Sequence, residues 1–175
     1  MSIKSPTTYW WEEPLGREEK MWITFVILWV CVPLFMMPYN HFMGNQNPSS
    51  QYTKITAANF DSATDKFIAK YKVGEEQGIA VVVPPPGSDI FIRAKQFSWE
   101  PILKLQKGKP YKLHLSSIDM NHGFSLQPLN INFAVVPGYD QVLNIIPTST
   151  GIFTIMCNEY CGLGHHTMTG RIYVD

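Results

Sequence analysis

Two thiols, an imidazole and a thioether lie within one short run, Cys157-Asn158-Glu159-Tyr160-Cys161-Gly162-Leu163-Gly164-His165-His166-Thr167-Met168. Their spacing is C-x3-C-x3-H-x2-M. Soft sulfur together with imidazole selects copper, and one Cys, two His and a weak Met make up a blue-copper site. A second thiolate four residues from the first can bridge, so the same loop offers donors for two copper ions as well as for one. The loop supplies one histidine in the expected place. His122, which opens the apolar segment His122-Gly123-Phe124-Ser125-Leu126, is the candidate for the upstream one. Two weaker readings stand beside copper. A Cys157–Cys161 disulfide gives His165 and Met168 no purpose, and structural zinc makes no use of methionine.

With Asn121-His122-Gly123-Phe124, Asn130-Ile131-Asn132 and Val136-Pro137-Gly138 upstream of it, this run resembles subunit II of heme–copper oxidases. The form C-x-E-x-C-G-x-x-H-x-x-M after a distant His is the signature of their dinuclear copper (CuA) centre. The likeness is to the one-helix, B-family (ba-type) proteins. It is close from Asp89 to Asp175 and holds in layout before that. It implies copper ligation by His122, Cys157, Cys161, His165, Met168 and the backbone carbonyl of Glu159, with both cysteines bridging two copper ions. It also offers the Glu159 carboxylate to a magnesium ion at the interface with subunit I, chemistry that suits a hard, oxygen-seeking cation. In the family an aromatic on the segment matching Gln96-Phe97-Ser98-Trp99-Glu100-Pro101 lies over the copper, and Trp99 fits best, then Phe97; core packing is the plain alternative for both. Glu19 matches a carboxylate at the cytoplasmic mouth of the proton path, although a glutamate at a helix start also needs no such role.

The function implied is electron entry. The copper centre takes electrons from cytochrome c or a similar donor and passes them to heme in subunit I, where oxygen is reduced to water with proton translocation. The chain is then one subunit of an oxidoreductase and carries no complete active site of its own. Two rivals are the CuA subunit of a related nitric-oxide reductase and a non-redox, membrane-tethered copper or zinc domain.

These residues need elements to hold them. The 175 residues allow one ordinary domain and an appendage, and 14 basic against 14 acidic residues lack the basic footprint of nucleic-acid binding. Residues 1–20 read as a polar cytoplasmic segment. Residues 21–40, free of charge, are long enough at about 1.5 Å per residue to cross a bilayer core of about 30 Å. No small-residue cleavage site follows, so the run reads as a retained span rather than a signal peptide. Cys31 lies within it as a small hydrophobe. Lys4, Arg17 and Lys20 precede the span and no basic residue follows until Lys54, which predicts a single pass through the cell membrane with the copper domain outside (extracytoplasmic, periplasmic).

Residues 41–88 read as a linker: a polar loop over 44–58, a short helix capped by Asn59 or Asp61, a turn over 73–77 and a strand over 79–83. From 89 to 175 the apolar period becomes two, as in Ile90, Ile92, Ala94 and in Tyr111, Leu113, Leu115, with turn signals between the runs. Such strands predict a mainly β sandwich or barrel, and the resemblance implies a cupredoxin Greek-key β-sandwich behind a single N-terminal transmembrane helix. His114 falls on the lysine-bearing face of its strand and reads as exposed.

Overall fold

The computed structural model describes residues 14–43, 50–129 and 131–175. The readings of residues 1–13, of the polar run 44–49 and of Asn130 lie outside the described residues. The chain divides into two units, Met1–Asn47 and Pro48–Asp175.

In the first unit, helix α1 spans Arg17–Met43, four residues earlier and three later than the apolar run. At about 1.5 Å per residue it exceeds the thickness of a bilayer core, and it is apolar enough for a single membrane span. Pro33 and Pro38 lie inside it. Glu18 and Glu19 occupy its first turn, where the positive end of the helix favours anions. The Gly16 N–H donates to Glu19 Oε2 at 2.7 Å.

The second unit carries β1 (Ser50–Lys54), α2 (Ala57–Tyr71), β2 (Lys72–Glu76), β3 (Ile79–Val82), β4 (Asp89–Lys95), β5 (Ser98–Glu100) and β6 (Ile102–Leu105). It continues with β7 (Tyr111–Ser117), β8 (His122–Gln127), β9 (Ile131–Val135), β10 (Tyr139–Ile145), β11 (Gly151–Cys157) and β12 (Thr169–Val174). The strands form a five-stranded sheet, β1-β10-β7-β4-β5, and a seven-stranded sheet, β2-β3-β6-β12-β11-β8-β9. Alternation decides what they bury. Ile90, Ile92, Leu113, Leu115 and Leu143 of the first sheet meet Leu103, Leu105, Phe124, Ile155 and Ile172 of the second in one buried cluster.

Four local readings change. Residues 50–54, expected in a loop, form edge strand β1 against β10. Of the turn expected over 73–77, residues 73–76 belong to β2 (Lys72–Glu76), and the turn itself is Gln77-Gly78, with φ of 53° and 79°, the positive values a tight hairpin needs. Strands β1 and β2 bury almost nothing, so their sequences carry no alternation to read. Helix α2 is capped by Thr56 rather than Asn59 or Asp61: its hydroxyl accepts from the Asn59 N–H at 3.3 Å. Phe60 and Phe67 of α2 pack on Phe91, on the outer face of the five-stranded sheet. That covered face also holds His114, which stacks on Phe91 at 4.6 Å and bonds Asp140 at 2.7 Å. His114 is therefore largely sheltered, not exposed.

Arg93 pins α2 to the β4–β5 hairpin. Its guanidinium meets Asp61 at 2.5 Å, Asp65 at 2.6 Å and Glu100 at 2.9 Å, and Lys95 meets Glu100 at 2.8 Å. Burial pushes the Glu100 carboxyl up, but the hydrogen bonds and charges of Lys95 and Arg93 outweigh it and hold the group below its ordinary 4.5. A depressed carboxyl contributes its stability fully above the unfolded-state value and loses it as pH falls through the folded one. Arg93→Met should cost about 2 kcal/mol at pH 7, between the roughly 0–1 of an exposed pair and the roughly 3–5 of a broken buried one. Urea unfolding should show that deficit shrinking below about pH 4.5, the ordinary Glu100 value. Equal midpoints at pH 7 would count against the anchor.

Candidate metal centre

Three strand ends meet at one pole of the seven-stranded sheet: the start of β8, the end of β11 and the start of β12. The β8–β11 ladder sets Cys157 opposite Phe124, which brings His122 beside the cysteine, with Nδ1 3.8 Å from Cys157 Sγ. The loop between β11 and β12 curls back on its own backbone. Cys157 N–H donates to the Met168 carbonyl at 3.2 Å, and the N–H groups of His165, Thr167 and Met168 donate to Gly162, Gly164 and His165. Asn158 N–H donates to the Gly123 carbonyl at 3.2 Å. Only glycine fits at 123: a Cβ there would come within 1.9 Å of Asn158 Oδ1 and 2.9 Å of the Glu159 nitrogen.

The curl gathers the donors around the two sulfurs. Cys161 Sγ lies 3.8 Å from Cys157 Sγ, 3.7 Å from His165 Nδ1 and 3.7 Å from Met168 Sδ. The Glu159 carbonyl oxygen is 3.2 Å from Cys157 Sγ. The ligand atoms of His122, Cys157 and Cys161 lie within 4.8 Å of one another, and all three residues are buried. No disulfide joins the cysteines.

This set fits a soft metal. The sulfur separation is less than two metal–thiolate bonds of about 2.3 Å, so one ion can touch both thiolates. Imidazole nitrogens and a thioether stand around the pair, the donor types copper prefers. Burial first, then the neighbouring Cys157 and the Asp119 carboxylate, push the Cys161 thiol up to about 11. The thiol therefore keeps its proton at neutral pH until a cation replaces it.

Asp119 orients the upstream histidine. His122 Nε2 lies 2.8 Å from Asp119 Oδ1, turning Nδ1 toward the sulfurs in the carboxylate–histidine arrangement common at metal sites. Asp119 also accepts from Gln96 N at 2.7 Å, Met120 N at 2.6 Å and Ser117 Oγ at 3.0 Å. Burial pushes its carboxyl up, but the bonds from His122, Gln96, Met120 and Ser117 together hold it below the usual carboxylate range.

The β4–β5 turn, from the other sheet, covers the loop. Gln96 Nε2 donates to the Cys161 carbonyl at 2.6 Å. The Phe97 ring lies on Gly164, where a Cβ would come within 2.4 Å of it. Phe97 is 37 % exposed, whereas Trp99 has no exposed surface. Trp99 sits in the paired part of the hairpin, opposite Ala94, and meets the rings of His122 and Phe124 edge-on. The aromatic at the surface over the site is Phe97, because it sits in the turn, while Trp99 is buried against the upstream histidine. Tyr160, near the His165 ring at 5.9 Å, and Leu163 are also exposed.

The Glu159 side chain points to solvent while its carbonyl faces the sulfurs, and His166 is exposed beside the inward His165. Glu19 belongs to the other unit. Sequence reasoning missed two polar supports. Asp119 had a signal, three residues before a candidate ligand; Gln96 had none.

The family model described as cytochrome C oxidase subunit II, periplasmic domain, matches residues 95–174. The chain is 34 % identical over 97 residues to cytochrome c oxidase subunit 2 of Thermus thermophilus, a stretch that covers 54 % of this chain and 72 % of that protein. A second Thermus thermophilus protein of that name has the same identity, but the chain spans only 58 % of its length. Among solved structures, a chain from a heme–copper terminal oxidase dimer superposes with TM-score 0.58 over 91 % of this chain and 100 % of that one, at 19 % identity. At that identity it supports the fold, a mainly β cupredoxin-like sandwich behind one apolar helix.

Asp119→Asn should keep the fold and loosen the metal. Competition with a chelator should show copper affinity lowered by about 10–100-fold, and an unchanged affinity would remove Asp119 from the site.

Proposed function

The chain belongs to the cytochrome c oxidase subunit II family, and on that premise we propose that it is the electron-entry subunit of a heme–copper oxidase, with a dinuclear copper centre at the pole just described. The observation that carries this reading is the buried pair of sulfurs 3.8 Å apart, with an imidazole beside each. A blue-copper site takes a single thiolate, and a Cys2His2 zinc site makes no use of the Met168 thioether that stands 3.7 Å from Cys161 Sγ. Two copper ions held there would supply a one-electron centre whose charge change is spread over both metals and both sulfurs.

The residues divide the work. Cys157 and Cys161 would hold the copper as thiolates, His122 and His165 would each offer an imidazole nitrogen, and the Met168 thioether and the Glu159 carbonyl would complete the set. The ladder, the loop's own hydrogen bonds and Asp119 hold these donors in place, so little has to move when an electron arrives. Burial of the cysteines, His122 and Met168 keeps water from the sulfurs.

Electrons enter from outside across Phe97, with Trp99 packed behind it against His122. Exposed Phe97, Met120, Tyr160 and Leu163 form an apolar rim that suits a cytochrome c-like donor. Residues 41–175 hold 11 basic and 10 acidic residues, so electrostatic steering is weak and docking depends little on salt. The Glu159 carboxylate, which is exposed, would share a magnesium ion with subunit I, whose heme would take the electron onward to oxygen. Helix α1 spans the cell membrane with residues 1–20 inside and the copper domain, 89–175, outside. Glu19, at the inner end of that helix, stands at the mouth of the proton path.

Replacing either Cys157 or Cys161 with Ser should abolish the spectrum of one unpaired electron shared over two coppers, together with donor oxidation. Persistence of both would end the two-copper reading. Glu19→Gln should slow oxygen uptake several-fold and leave that spectrum unaltered; full turnover would remove the proton role.

A further inference from the structure

We propose that Gln96 is a positioning residue that locks the upstream histidine and the late ligand loop at one separation, an inference that rests on the two-copper reading only for its metal-dependent effect. Its backbone N–H donates to Asp119 Oδ2 at 2.7 Å, and the other oxygen of that carboxylate holds His122 Nε2 at 2.8 Å. Its side-chain Nε2 donates to the Cys161 carbonyl at 2.6 Å and lies 3.2 Å from Met120 Sδ. One residue is thus bonded to the support of His122 and to the backbone of a bridging cysteine. The β8–β11 ladder joins these two halves of the ligand set from the sheet side. Gln96, reaching over from the other sheet, joins them from the solvent side.

The residue type matters. An amide nitrogen has two hydrogens and no charge, so it can donate to the carbonyl and lie against the thioether at once. A glutamate would present only acceptors to a carbonyl oxygen. The bond also fixes the Cys161 peptide plane, and with it the direction in which Cys161 Sγ leaves the backbone. Phe97, the next residue, touches the same loop at Gly162 and Gly164 by packing alone. Gln96 itself is exposed, so losing its amide opens no cavity in the core.

The test compares the full chain in detergent as wild type, Gln96→Met, which keeps length and removes the donor, and Phe97→Leu. In the metal-free chain, amide hydrogen exchange at His165, Thr167 and Met168 should be about tenfold faster in Q96M, through local opening of the loop, and within about twofold of wild type in F97L. With copper loaded, Q96M should lose the metal to a chelator about tenfold faster and show shifted copper–thiolate absorption bands, whereas F97L should slow donor oxidation and leave the bands in place. Exchange in Q96M within twofold of wild type overturns the positioning role, whatever the copper does. A wild-type chain that shows no shared-electron copper spectrum while the exchange contrast holds overturns the electron-entry reading and leaves Gln96 in its role.

Discussion

The metal-binding pole depends on the register between β8 and β11. With Cys157 opposite Phe124, His122 and Cys157 turn toward the same buried space. A slip of one residue would send one of them to the opposite face of the sheet. Such a slip would also bury polar side chains and expose Phe124 and Ile155, both without exposed surface in the fold. The apolar core therefore enforces the register, and the register places the histidine. The loop adds Cys161, His165 and Met168 by short-range bonds of its own, but those bonds begin from the strand end that the ladder has fixed.

A second constraint comes from the five-stranded sheet. Its β4–β5 hairpin is tied down on one side by Arg93 with Asp61, Asp65 and Glu100, and reaches the metal pole on the other through Gln96, Phe97 and Trp99. The same short hairpin therefore provides a hydrogen bond to the loop, a surface aromatic over it and a buried aromatic against the upstream histidine. The two sheets meet at the site as well as in the core, which gives donors from distant parts of the chain one rigid frame. The electron-entry role proposed for the site would benefit from such a frame, since little around it would have to be reorganised.

The electrostatics follow the same plan. The carboxylate nearest the site, Asp119, is committed to hydrogen bonds with His122 and with the backbone around it. The thiols stand in a buried setting that keeps Cys161 protonated without a cation. A bound metal and its thiolates would then carry the buried charge, and the exposed surface beside them holds Phe97, Tyr160 and Leu163 together with the Glu159 carboxylate.

Much of this was legible in the residues themselves. The loop from Cys157 to Met168 declares its donors because ligand type and spacing are local properties. The alternation in Ile90, Ile92 and Ala94, and the charge-free run from 21 to 40, likewise declare a half-buried strand and a long apolar helix, since each is a pattern of neighbours. Strands β1 and β2 were silent because they bury almost nothing, and His114 misled because the face it occupies is covered by α2, a packing event that strand alternation does not record. Only the tertiary structure decided that His122 meets Cys157, that Asp119 and Gln96 brace the site, and that Phe97 rather than Trp99 stands at the surface. The physical reason is distance along the chain: those contacts join residues that only sheet pairing and core packing bring together, whereas chemical identity and short-range period are written into every stretch of the sequence.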